Sequence, residues 1–156
     1  MRHLCWVALC LLALTGCGSG PGGGERACTL IGGRTGIGVV VDPGAPVLDT
    51  PALLTLCADG RCRDVPVPLE PATGTGASGC SGGVCSAQVA PTGGQVGFAE
   101  VDGLSEQPLE VTLTAGDREF RTTVTPAAVY PNGPDCGAAG VQGRVGLTAA
   151  GNLTNR

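Results

Sequence analysis

Two six-residue stretches, CADGRC from Cys57 to Cys62 and CSGGVC from Cys80 to Cys85, constrain this chain more than any other feature. Each sets a cysteine on either side of four residues whose central dipeptide, Asp59-Gly60 or Gly82-Gly83, tolerates the positive φ of a two-residue hairpin turn. With such a turn, both cysteines fall at the first non-hydrogen-bonded site, where opposed side chains approach most closely. Each stretch therefore predicts a β-hairpin closed by its own disulfide. Of the six cysteines from Cys28 onward, this leaves Cys28 to pair with Cys136. The competing solution crosses the hairpins, Cys57 or Cys62 to Cys80 or Cys85. In the loop-entropy model a six-residue ring contributes about 2.2 kcal/mol, and the ring of about 109 residues closed by Cys28–Cys136 about 4.8 kcal/mol.

The segments around the first turn agree with this geometry. Counting outward from Asp59-Gly60, Cys57 falls opposite Cys62, Leu54 opposite Val65 and Ala52 opposite Val67. The cysteines thus lie on the other face from Leu54 and Leu56. Pro66 and Pro68 lack ladder donors, which makes Val65 to Leu69 an edge strand or a segment leaving its sheet. A further hairpin is read in PLEVTLTAGDREFRTTVTP, where Leu109, Val111 and Leu113 alternate with Glu110, Thr112 and Thr114 at the period of a half-buried strand. A two-residue turn at Gly116-Asp117 sets Leu113 opposite Phe120, Val111 opposite Thr122 and Leu109 opposite Val124, while Thr112 faces Arg121 and Glu110 faces Thr123. Apolar residues then share one side of both strands.

Further strands are expected at Gly36 to Val41, Cys85 to Ala90, Gln95 to Val101, Ala127 to Tyr130 and Val141 to Thr148. No run shows the spacing of an amphipathic helix. Seven to nine short strands predict an all-β chain with a single antiparallel β-sandwich, immunoglobulin-like or transthyretin-like, stapled by disulfides and occupying residues 28–156.

The N-terminus belongs to another class of segment. Arg2 and His3 precede eleven apolar residues from Leu4 to Leu14, closed by Thr15-Gly16, in the charged, apolar, small-residue order of a secretory signal. The run is short of the roughly 20 apolar residues a membrane-spanning helix needs. Leu14-Thr15-Gly16-Cys17 resembles the lipobox of bacterial lipoproteins. That resemblance implies removal of residues 1–16 as a signal peptide and lipidation of Cys17, whose acyl chains would suffice for stable anchoring. Residues 17–27, rich in glycine, then form a lipidated flexible tether. With Cys5 and Cys10 removed with the signal and Cys17 lipidated, the cysteine count becomes even.

Composition narrows the chemistry. Without residues 1–16 the chain carries 8 arginines, no lysine and 13 acids, a net charge of −5, which excludes the basic footprint of a nucleic-acid binder. Its one histidine, His3, lies in the signal. The usual general base for a Ser or Cys nucleophile, the commonest nitrogen ligand for zinc and the Schiff-base amine are all missing. Zinc on Cys57, Cys62, Cys80 and Cys85 is disfavoured by an oxidising compartment and by four-residue rather than two-residue spacing. Gly74-Thr75-Gly76-Ala77-Ser78-Gly79 matches G-x-G-x-x-G, but no helical pattern follows it, so it is read as a mobile loop rather than a dinucleotide site. Asp42, Asp49, Asp59, Asp64, Glu100, Asp102, Glu106 and Asp135 could pair for acid–base work or calcium binding. Turn signatures such as Asp42-Pro43-Gly44, Asp59-Gly60 and Asp102-Gly103 account for most of them.

The lipobox, the lysine-free Gly/Ala/Arg/Pro-rich composition and the blocks CTLIGG, LCADGRC and YPNGPDCG together resemble uncharacterised secreted lipoproteins of actinobacteria. The resemblance implies localisation at the outer face of the cytoplasmic membrane and a disulfide-rich β architecture, and it carries no activity. The expected function is a lipid-anchored, non-enzymatic binding or structural module without cofactor or metal. Its partners would be the membrane, through the anchor, and an envelope protein or glycan, with no nucleic acid. The alternative is an enzyme using paired carboxylates on a cell-wall or sugar substrate.

Overall fold

The computed structural model describes residues 28–29, 31–48 and 51–156; Cys17, the signal and the tether lie outside the described residues. Among the described residues ten strands form two sheets. They are β1 (Gly36–Val41), β2 (Ala52–Ala58), β3 (Arg61–Val67), β4 (Leu69–Ser81), β5 (Val84–Glu100), β6 (Leu109–Ala115), β7 (Arg118–Val124), β8 (Ala127–Val129), β9 (Gly140–Leu147) and β10 (Leu153–Asn155). A 3-10 turn, Pro134–Cys136, precedes β9. The larger sheet has the order β10-β9-β1-β5-β4 with β8 also on β9, and the smaller one the order β3-β2-β6-β7.

Alternation builds the core. In the smaller sheet Ala52, Leu54, Leu56, Leu109, Val111, Leu113 and Val124 are buried, while their neighbours Leu53, Glu110 and Thr123 face water. Ile37, Val39, Val41, Ala99, Val145 and Leu147 from the larger sheet join them in one apolar cluster, so the arrangement is a β-sandwich. No polar or charged side chain is buried among the described residues.

The hairpins form in the registers the turns dictate. Leu113 pairs with Phe120, Val111 with Thr122 and Leu109 with Val124. Leu54 pairs with Val65, Ala52 with Val67 and Cys57 with Cys62. Asp59 takes φ 50° and Gly60 φ 72°, the left-handed pair that a type I′ turn needs.

Three expectations are corrected. The larger sheet is mixed rather than antiparallel throughout, because β1 runs parallel to β9 and antiparallel to β5. β1 lies inside the sheet, so both rows of its backbone donors and acceptors need partners, and these two strands supply them. The segments Cys85 to Ala90 and Gln95 to Val101 do not form separate strands; residues 84–100 are one strand, β5. The glycine-rich Gly74–Gly79 stretch is no loop, for it lies within β4, paired to β5 on either side of a bulge at Gly76-Ala77.

Pro68 marks the point where the chain leaves the smaller sheet for the larger one, between β3 and β4. Gly97 on β5 receives this crossing. A Cβ there would stand 2.6 Å from the Pro68 carbonyl oxygen and 2.7 Å from Val67 Cγ1. A backbone carbonyl cannot swing aside as a side chain can, so Gly97→Ala is expected to cost about 1–3 kcal/mol, the usual range for overpacking. Thermal unfolding followed by circular dichroism would show it as a lowered midpoint.

Candidate functional site

The six described cysteines are all paired. Cys57–Cys62 and Cys80–Cys85 are bonded with Cα separations of 4.1 and 4.0 Å, and Cys28–Cys136 with 5.6 Å. The two short pairs sit at non-hydrogen-bonded sites of hairpins, where strands stand closest. Cys28–Cys136 ties the segment ahead of β1 to the 3-10 turn. Asn132 reinforces the tie, donating from Nδ2 to the Thr29 and Ile31 carbonyls at 2.8 and 3.2 Å.

The acids are dispersed. Asp42 receives the guanidinium of Arg156, Glu100 pairs with Arg34 at 2.9 Å, and Asp64 accepts from the Thr55 hydroxyl at 2.7 Å. Asp59 and Asp102 sit in turns, and Asp49 lies outside the described residues. Among the described residues no group of three or more His, Cys, Asp or Glu gathers where a metal could be held. Glu119 hydrogen-bonds the exposed Arg121 and, with its charge, holds that guanidinium above its ordinary range. This is a strand-surface pair and carries little energy.

The concavities are shallow. A cleft of about 400 Å³ lies between the Cys57–Cys62 hairpin and the loop before β6, lined in part by Leu56, Arg61, Arg63 and Leu104. Arg63 donates from Nη1 to the Asp102 carbonyl at 2.9 Å, which fixes its side chain along the cleft wall. The cleft offers two guanidinium groups and apolar surface, without a carboxylate among its lining residues.

A different element stands out. Beyond the sandwich, β4 and β5 continue as a two-stranded ribbon, pairing from Thr73↔Pro91 to Ser81↔Val84. At 3.4 Å per residue it reaches about 30 Å. No residue from Glu70 to Gly93 is buried. Between Glu70 and Glu100 the sequence holds no Asp, Glu, Lys or Arg, and Val84 and Val89 are 72% and 76% exposed. An isolated two-stranded hairpin is marginal in water, and Cys80–Cys85 closes this one at its tip.

Removing that staple should act locally. In the double variant Cys80→Ser/Cys85→Ser the thermal midpoint of the sandwich is expected to stay put, because the ribbon adds nothing to the core. Ribbon amides should exchange roughly ten- to fortyfold faster, the range set by losing about 2.2 kcal/mol of ring closure. Hydrogen-exchange mass spectrometry, reading residues 73–91 against β6 and β7, makes the comparison.

The signal for the ribbon in the sequence is this charge-free run, with Cys-x4-Cys at its centre. Both its faces meet water, so it lacks the alternation that reveals a half-buried strand. Comparison of the chain with protein-family models, with curated proteins and with solved structures finds no match in any of the three.

Proposed function

We propose that this chain is a lipid-anchored lipoprotein of the cell envelope, held at the outer face of the cytoplasmic membrane through Cys17, whose sandwich domain is a non-enzymatic binding or structural module. The lipobox-like Leu14-Thr15-Gly16-Cys17 supports the anchor, as does the resemblance to secreted lipoproteins of actinobacteria. The observation that carries the module reading is the ribbon. A neutral, disulfide-tipped arm that buries nothing of its own is a costly thing to order unless it contacts something else. Arms of this kind bind by backbone pairing and side-chain contact, which need neither histidine nor lysine.

The test is made in cells. A tagged full chain is crosslinked in intact cells beside a variant in which Gly74 is joined to Ala90 by an Asn-Gly turn, removing the outer ribbon. Both should fractionate with the membrane, and crosslinked products should be lost from the shortened chain alone. Equal crosslinking of the two would overturn the role given to the ribbon. In a separate experiment Cys17→Ala should move the protein from the membrane to the medium with its disulfides intact. A variant that stays membrane-bound would contradict the anchor.

A further inference from the structure

The edges of the two sheets are not alike. β3 ends its sheet with Arg61, Arg63, Asp64 and Pro66, and β7 with Arg118, Glu119 and Arg121. β8 and β10 are three residues each. Charge, proline and brevity are the devices that keep strand edges from pairing with other chains. The ribbon has a bulge on β4, where the register shifts between Thr75 and Ser78, and a bulge likewise twists an edge away. That leaves one unguarded edge among the described residues. β5 from Val84 to Ala90, VCSAQVA, is paired with β4 on one side, while β1 reaches only Gln95 to Glu100 on the other.

Hairpin parity says which groups this edge presents. Ser81↔Val84 flanks the two-residue turn and is hydrogen-bonded, so Cys80↔Cys85 is not, and Ser78↔Ala87 repeats the Cys80↔Cys85 state. The backbone N–H and C=O of Cys85, Ala87 and, by continued alternation, Val89 therefore point away from β4. These residues are spaced symmetrically about Ala87.

We propose that the β5 edge pairs with the same edge of a second copy of this chain, antiparallel about a two-fold axis at Ala87. Cys85 then faces Val89 of the other copy, Ala87 faces Ala87, and each of the three outward residues meets an outward residue, giving about six backbone hydrogen bonds. Val84 falls opposite Ala90 and Ser86 opposite Gln88. A self-pairing edge must face its own charges, and this segment has none to repel. Two copies of a net-acidic chain meet most easily along a neutral arm of this kind. The pairing turns a marginal two-stranded ribbon into a four-stranded one. It rests on the reading of the ribbon as a contact element and names its first occupant.

The test is sedimentation velocity of the full chain in mild detergent, from micromolar to millimolar concentration. The wild-type chain should show a concentration-dependent dimer. Ala87→Pro keeps the hairpin, since that N–H is not used within it, and should weaken the dimer by about tenfold or more. Ala87→Lys and Ala87→Glu should each weaken it alone, and an equimolar mixture of the two should restore a heterodimer. A wild-type chain that stays monomeric, a dimer indifferent to Ala87→Pro, or charge variants that do not recover on mixing would each overturn the proposal. So would a monomer in which the Cys85, Ala87 and Val89 amides are already protected from exchange, since another segment of the same chain would then cover the edge. A monomeric chain that still yields ribbon-dependent crosslinks to another protein in cells would refute self-pairing and leave the module reading standing. A dimer whose crosslinks survive removal of the ribbon would do the reverse.

Discussion

Replacing Cys28 and Cys136 together by serine is expected to lower the thermal midpoint by about 15–25 °C, the largest effect among the three described disulfides. Sequence separation sets the size of the effect, being 108 for this bridge and 5 for each of the others. Opening a ring of that length returns about 4.8 kcal/mol of chain entropy to the unfolded state, and for a domain near this size each kcal/mol moves the midpoint by roughly 3–5 °C. The native state loses as well, because Thr29 and Ile31 depend on the bridge to stay within reach of Asn132. Calorimetry on the double variant beside Cys57→Ser/Cys62→Ser measures the ratio directly. Equal losses from the two would show that ring length does not govern stability here.

The second large effect is expected at Leu113→Ala. Leu113 is fully buried on β6 and lies across from Leu54 on one side and Phe120 on the other. Core leucine truncations cost about 3 kcal/mol or more once the cavity is counted, here about 10 °C or more in midpoint. The site has little means of collapsing around the void. Its buried neighbours are Val, Leu and Ala anchored in both sheets, and Phe120 is only partly buried. Chemical denaturation should show a lower midpoint with an unchanged slope. A Leu113→Ala chain as stable as the parent would mean that the sheets can close over the gap.

What the residues disclosed in advance follows how local the determining interactions are. The turn at Asp59-Gly60 fixes Cys57 opposite Cys62 within six residues, and Gly116-Asp117 fixes β6 against β7 over sixteen. Turn chemistry and period-two burial act in concert there, so pairing and facing were both legible. The parallel neighbour of β1 was not. Gly36 pairs with Gln142 across more than a hundred residues, and no short-range signal distinguishes a parallel from an antiparallel partner for a strand that is apolar throughout. The ribbon escaped for the opposite reason. Thr73, Gly74 and Thr75 have the composition of a loop, and only backbone pairing with β5, pinned at the far end by Cys80–Cys85, keeps them straight. The dispersal of Asp42, Asp64 and Glu100 onto separate partners is likewise a matter of the assembled sandwich, and only Asp42, in Asp42-Pro43-Gly44, carried a turn signature.

The placement of β1 also sets a timetable. The stretch of β5 it pairs with begins at Gln95 and its parallel partner ends at Leu147, so the first of the described strands is among the last to find both neighbours. The hairpins β2–β3, β4–β5 and β6–β7 need no such wait. Chains dominated by distant pairings fold in milliseconds to seconds rather than microseconds. During that interval GIGVVV, an apolar segment without a charge, stands ready to pair with whatever strand it meets. For a chain threaded out N-terminus first, the hazard lasts until nearly the whole length has emerged.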